Sequence, residues 1–217
     1  MTVLPFRSLA DVESALGPVE RHLGSGGLLA YPTETIYGLG SRARNDDLAR
    51  LAALKGRSDD KPFLLLVSGR EMAVSYGLVF TAAAEVLADR FWPGPLTLVL
   101  LGSEGRLPDT LRGPEGGIAV RWTSHGETAA LVARLGEPLS STSANLPGEK
   151  TAPGVAAIMT AFGPAVESGR LLVLDGGVLG NVPPSTVIDC TSAAPSLIRE
   201  GAILRSELRR RAGRFAP

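Results

Sequence analysis

The sequence predicts an α/β protein built on a mixed β-sheet, and three observations carry that reading. Short apolar runs alternate with amphipathic stretches of helical spacing along the whole chain. Several links between apolar runs are too short for a crossover helix, so some neighbouring strands must run antiparallel. A content of 44% hydrophobic and 20% charged residues over 217 positions supplies a substantial core for one domain.

The elements follow in order. Leu9 to Leu23 has helical periodicity, with Ser8 as its cap and Gly24, Gly26 and Gly27 ending it. Leu28-Leu29-Ala30-Tyr31 is a buried strand that feeds the hydroxyl-rich loop beginning Pro32-Thr33-Glu34-Thr35. A polar loop leaving a buried strand is where α/β proteins place ligands, although a Pro-initiated turn with a local hydroxyl cap fits as well. Asn45 is placed to cap a helix with Leu48, Leu51, Ala52 and Leu54 on its apolar face, ending near Gly56. Phe63 to Val67 is a second buried strand, and Thr81 to Phe91 a helix. Pro93-Gly94-Pro95 turns that helix into a strand over Leu96 to Leu101.

Residues 102–117 hold five glycines and two prolines and read as loop. Ile118 to Trp122 is an apolar strand with the charged Arg121 at its end. An arginine there is rarely buried without an anion, so a carboxylate or phosphate partner is expected, internal or bound. Gly126 to Leu135 is helical, and Pro138 leads through Leu139 into the hydroxyl run Ser140-Ser141-Thr142-Ser143. Val155 to Phe162 is a helix, and Leu171 to Leu174, Thr186 to Ile188 and Ser196 to Ile198 are short strands. The chain reads as one unit over residues 1–205 followed by a basic tail at 206–217, a helix or a frayed end.

Composition excludes several function classes. The formal net charge is zero, so no global field draws the protein to nucleic acid or membrane. The single cysteine, Cys190, excludes an internal disulfide and fits a reducing compartment. No apolar run would span a bilayer, and the N-terminus has no signal-peptide core, so a cytoplasmic location is expected. There is no Walker-type phosphate loop and no dinucleotide-binding glycine fingerprint. His22 and His125 are the only histidines, and both fit structural roles.

The strongest local signal is Lys55-Gly56-Arg57 followed by Lys61-Pro62. It places three cations within seven residues, in a chain that uses lysine three times and arginine 19 times. A solvated helix end is the ordinary explanation of such a cluster. Far downstream, Ser141-Thr142-Ser143-Ala144-Asn145 offers three hydroxyls and an amide, with Thr151 nearby. Together the two segments describe a site for a polyanion such as a nucleotide triphosphate, because phosphate oxygens take charge-assisted donors. Cations and hydroxyls with no evident nucleophile fit catalysis by positioning and charge neutralisation, the manner of phosphoryl or nucleotidyl transfer.

Seven stretches, in order, resemble the YrdC/TsaC family of threonylcarbamoyl-AMP synthases in its single-domain form. They are YPTETIYGLG at 31–40, KGRSDDKP at 55–62, WPGPLTLVL at 92–100, IAVRW at 118–122, STSAN at 141–145, LDGG at 174–177, and Ser185-Thr186 with IREGAI at 198–203. The resemblance implies a twisted mixed sheet flanked by helices around a basic concave cavity. It implies conversion of L-threonine, bicarbonate and ATP to threonylcarbamoyl-AMP and pyrophosphate, for threonylcarbamoyladenosine in tRNAs that read ANN codons. By position, Thr35, Arg121, Ser141 and Ser185 would hold threonine. Arg57, Lys61, Ser143, Asn145, Thr151 and Arg199 would hold ATP, with Lys55 and Arg57 catalytic. Mg2+ would enter on the phosphates, with no protein ligand set. Weak tRNA binding and hand-over to downstream tRNA threonylcarbamoyl transferase proteins are the implied partnerships, with no membrane partner. Leu66, Pro184 and Thr123 depart from the family pattern; the first two bear on amino-acid recognition. Two rival readings remain open at this level: a carbamoyl-adenylate-forming module and a non-catalytic RNA-binding module using the cavity and Arg209-Arg210-Arg211.

Overall fold

The computed structural model describes residues 2–56 and 62–213. In chain order, β1 (Val3–Pro5) and α1 (Leu9–Gly24) precede β2 (Leu28–Tyr31), β3 (Gly38–Gly40) and α2 (Asn45–Lys55). Next come β4 (Leu64–Leu66), α3 (Arg70–Ser75), β5 (Leu78–Val79), α4 (Ala82–Phe91), β6 (Leu96–Gly102) and β7 (Ile118–Arg121). The remainder is α5 (Gly126–Leu135), β8 (Leu139–Ser143), α6 (Val155–Glu167), β9 (Leu171–Asp175), β10 (Thr186–Asp189), β11 (Ser196–Arg199) and α7 (Arg205–Ala212).

The strands form one mixed sheet in the order β1-β9-β2-β3-β8-β4-β7-β6-β10-β11, with β5 attached to β6. β2 and β3 are antiparallel across the short 32–37 link, whereas β4 and β7 are parallel, as are β6 and β10. The expected mixed α/β architecture is therefore present.

Local chemistry explains the boundaries. Ser8 Oγ accepts from the Asp11 N–H at 3.2 Å and starts α1, whose buried face is Val12, Ala15, Val19 and Leu23. α2 differs from expectation at its start. Asn45 is its first residue, and Arg44 occupies the cap without a side-chain hydrogen bond. Gly56, at φ +60°, closes the same helix in the left-handed conformation that glycine adopts without a Cβ penalty.

The sheet divides the core. Along β2, Leu28 and Ala30 join one buried cluster while Leu29 and Tyr31 join the other, as alternation requires. The first cluster packs under α2, α4 and α6 through Leu51, Leu87 and Phe162. The second packs under α1 and α5 through Val12, Val19, Leu131 and Val132. The basic segment after Leu204 is helical: Leu208 is fully buried and the Arg211 guanidinium lies 4.2 Å from the Phe91 ring centroid.

The hydroxyl run after Pro138 is β8, a central strand between β3 and β4. Serine has little intrinsic preference for strands, and pairing on both edges overrides it. Ser140 supports the pairing by accepting from the Ser41 N–H at 2.8 Å and donating to the Ser41 carbonyl at 2.9 Å.

Candidate active site

Period-2 alternation in the central strands builds the site. Leu139, Ser141 and Ser143 share one face of β8, and Leu64 and Leu66 share one face of β4. Leu66 and Leu139 lie in the apolar cluster under α1 and α5, and Ser141 and Ser143 lie further along the same face. There the strands enclose a cavity of about 300 Å³ lined by Leu64, Ala119, Arg121, Ser141, Ser143, Thr151, Ser185 and Arg199, among others. A second cavity of about 650 Å³ shares Ile36, Thr151 and Pro184 with it and reaches Thr35, Lys150 and Asn181. Neighbouring compartments of this size suit a ligand with two chemically different ends.

Arg121 ends β7 and is only 4% exposed as a residue. Its Nε donates to the Gly94 carbonyl at 3.3 Å, and its Nη2 to Thr35 Oγ1 at 3.2 Å. Glu34 Oε1 lies 2.7 Å from Nη2, an ion pair that meets the sequence expectation of an anionic partner. That contact is close in distance but off the hydrogen-bond axis, since Oε1 has no aligned donor. Glu34 Oε2 accepts from the Thr123 hydroxyl. Burial would push the Glu34 carboxyl up, but the Arg121 charge and the Thr123 hydroxyl outweigh it and hold it below its ordinary value.

Arg199 faces the same cavity from β11 and donates through Nη2 to the Ser185 carbonyl at 2.8 Å. Burial first, and the positive charge of Arg121 second, lower its pKa. Among the described residues no carboxylate lines this cavity, and two like charges face it together. Ser185 Oγ lies 2.9 Å from Thr97 Oγ1. The sequence reading missed Thr97; its signal was a lone polar residue on an otherwise apolar strand.

Lys55 and Asn145 meet at the end of β8. Lys55 Nζ donates to the Ser143 carbonyl at 2.6 Å, to Asn145 Oδ1 at 2.7 Å and to the Asn145 carbonyl. Asn145 Nδ2 donates to the carbonyls of Leu146 at 3.0 Å and Glu149 at 2.8 Å. Neither Lys55 nor Asn145 is among the residues lining the two cavities. Arg57 and Lys61 lie outside the described residues. Of the other anticipated residues, Arg121, Ser141, Ser143, Thr151, Ser185 and Arg199 converge on one cavity and Thr35 on its neighbour.

Leu66 is 1% exposed and opposite Arg121 in the parallel β4–β7 register, in contact with the apolar cluster that holds Tyr31 and Leu139. Pro184 lines both cavities. Thr123 Oγ1 supports the Glu34 carboxylate and accepts from the His125 N–H at 3.2 Å. His125 itself caps α5, accepting at Nδ1 from the Thr128 N–H at 3.4 Å. Among the described residues no group of three or more His, Cys, Asp or Glu is placed to hold a metal. Among them, too, no helix is long and apolar enough to cross a membrane.

Known proteins share both sequence and fold. A threonylcarbamoyl-AMP synthase of Chromobacterium violaceum is 38% identical over 173 residues, covering 79% of this chain and 86% of that protein. One from Pyrococcus abyssi is 35% identical over 184 residues, covering 84% of this chain and 53% of the relative. The structure of P. abyssi Sua5 complexed with L-threonine superposes with a TM-score of 0.85 at 31% identity. It matches 99% of this chain, which spans only 62% of that longer protein. E. coli YciO gives a TM-score of 0.75 at 27% identity over 92% of this chain and 94% of its own. The profile of the Sua5/YciO/YrdC family, described as telomere recombination, matches residues 21–201. The chain belongs to the Sua5/YciO/YrdC family.

Proposed function

We propose that this protein is a threonylcarbamoyl-AMP synthase, a nucleotidyltransferase that joins L-threonine, bicarbonate and ATP. The observation that carries the reading is the pair Arg121 and Arg199, which face one hydroxyl-lined cavity with no carboxylate among the described lining residues. Such a cavity is built for an anion, and the relatives named as synthases supply the reaction.

In this reading the threonine carboxylate lies against Arg121, with Thr35, Ser141 and Ser185 as hydroxyl partners. Arg199, Ser143, Thr151 and Asn145 serve ATP, together with Arg57 and Lys61. Bicarbonate loses hydroxide to give CO2, the threonine amine adds to its carbon, and the proton that the nitrogen sheds combines with the hydroxide as water. A carbamate oxygen then forms a bond to the α-phosphorus as the bond to pyrophosphate breaks. Both reactants are anionic, so the chain's contribution is to hold them in line and offset their repulsion with guanidinium groups. Lys55 acts through Ser143 and Asn145, whose oxygens it holds. Among the described residues no group of three or more His, Cys, Asp or Glu could hold a metal, and Mg2+ would enter on the phosphates of its substrate and offset their charge.

The product feeds threonylcarbamoylation of tRNA, through transferase partners in the cytoplasm; any tRNA contact by this chain is weak. Threonine and serine differ by one methyl in the pocket, worth ~1–3 kcal/mol, so some serine turnover is expected. The test is pyrophosphate release with mass detection of the adenylate, comparing threonine, serine and no amino acid, with and without bicarbonate. Product that depends on threonine and bicarbonate supports the reading; ATP binding without turnover overturns it.

A further inference from the structure

We propose that Glu34 is a positioning residue: it holds the Arg121 guanidinium in the orientation that faces the cavity, and so sets affinity for the amino-acid carboxylate. The inference rests on the function proposed above. Arg121 has three protein anchors, the Gly94 carbonyl at Nε and both Thr35 Oγ1 and Glu34 Oε1 at Nη2. Among the described residues Nη1 has no hydrogen-bond partner, and Arg121 lines the cavity. The anchored edge and the open edge therefore belong to the same planar group. Whatever fixes the first aims the second.

Of the three anchors only Glu34 carries charge. It is the one carboxylate among the described residues within ion-pair distance of Arg121, and Arg199 has none. Without it two guanidinium groups would face each other across the cavity with no counter-charge among the described residues. Repulsion would then favour rotation of Arg121 away from Arg199. Glu34 is itself fixed at its second oxygen by Thr123, whose hydroxyl also accepts from the His125 N–H at 3.2 Å. The carboxylate is thus tied to the start of α5 rather than free to follow the arginine. Its side chain is 18% exposed against 5% for Arg121, so the pair is largely screened from water and orientation-sensitive. Glu34 lines neither cavity, so its influence on a ligand passes through Arg121.

The test uses the full chain and two readouts. The first is the Arg121 side-chain Nε–H signal by NMR, which reports the orientation of the guanidinium without any turnover. The second is the split between the threonine and ATP requirements in pyrophosphate release. In Glu34→Gln the Arg121 signal should exchange faster with water, and the threonine KM should rise roughly tenfold while the ATP KM stays within about twofold. Glu34→Asp, which keeps the charge at shorter reach, should fall between. In an Arg121→Ala background Glu34→Gln should add nothing further to the threonine requirement. An unchanged Arg121 signal in Glu34→Gln, or a full threonine penalty that persists without Arg121, would overturn the proposal. If the wild type turned over no threonine while Glu34→Gln still released Arg121, the proposed reaction would fall and the hold of Glu34 on Arg121 would stand.

Discussion

Lys55 and Asn145 are tied twice, the lysine Nζ reaching Asn145 Oδ1 at 2.7 Å and also the Asn145 main-chain oxygen. With the Ser143 carbonyl at 2.6 Å, three oxygens from the exit of β8 surround one buried ammonium. The end of α2 is thereby fastened to the strand that lines the cavity. Lys55→Met keeps the apolar stem and removes the donor to both Asn145 oxygens, while the Ser143 carbonyl keeps the Asn145 N–H at 3.0 Å. It should lower unfolding free energy by about 2–4 kcal/mol. Denaturant midpoints would check this, and hydrogen exchange should speed up over residues 144–152. An unchanged midpoint and unchanged exchange would show that the tie carries no energy.

Arg121→Ala removes the guanidinium anchored to Thr35. The proposed carboxylate partner then loses a largely desolvated charge contact, worth roughly 30-fold or more in threonine affinity. Steady-state kinetics should show the threonine KM rising far more than the ATP KM. The reverse split would move Arg121 to the nucleotide.

Gly94 makes a sharper geometric claim. Its N–H donates to the Trp122 carbonyl at 2.8 Å, and its own carbonyl accepts from Arg121 Nε. A Cβ there would overlap the Phe91 carbonyl oxygen. Gly94→Ala should therefore shift the loop and raise the threonine KM in the same direction as Arg121→Ala, by a smaller factor. The comparison of the two KM values is the measurement.

His125 supplies a pH signature. Burial lowers its pKa from 6.5, with Glu127 and Glu34 partly opposing the shift, so its folded form favours the neutral ring that accepts from Thr128. The folded state then binds fewer protons than the unfolded one as pH falls through 6.5. Stability should decline on acidification through that value and below. His125→Asn keeps a capping oxygen and removes the titration, so its stability should decline less between about pH 7.5 and 5.5. Parallel curves for the two proteins would contradict the assignment.

Cys190 is fully buried, and burial pushes its thiol up to about 12. The native protein should be inert to an aromatic disulfide reagent at neutral pH and react once on unfolding. Rapid labelling of the folded protein would refute the burial.

The sequence by itself determined the class and most element positions. α1 shows how: Ser8, the spacing Val12, Ala15, Val19, Leu23 and the glycines after it are all local signals, and the observed helix follows them. It also named residues that converge, since Arg121, Ser141, Ser143, Ser185 and Arg199 line one cavity despite their separation in the chain. Tertiary structure alone decided that Ser140 to Ser143 form a central strand, because pairing with β3 and β4 outweighs a weak local preference. It alone set Lys55 against Ser143 and Asn145, a contact spanning 88 and 90 positions that no local pattern encodes. The partner of Arg121 was legible only as a requirement. A buried cation demands an anion, but which carboxylate answers depends on how β2, its following loop and β7 are brought side by side, and that arrangement chose Glu34.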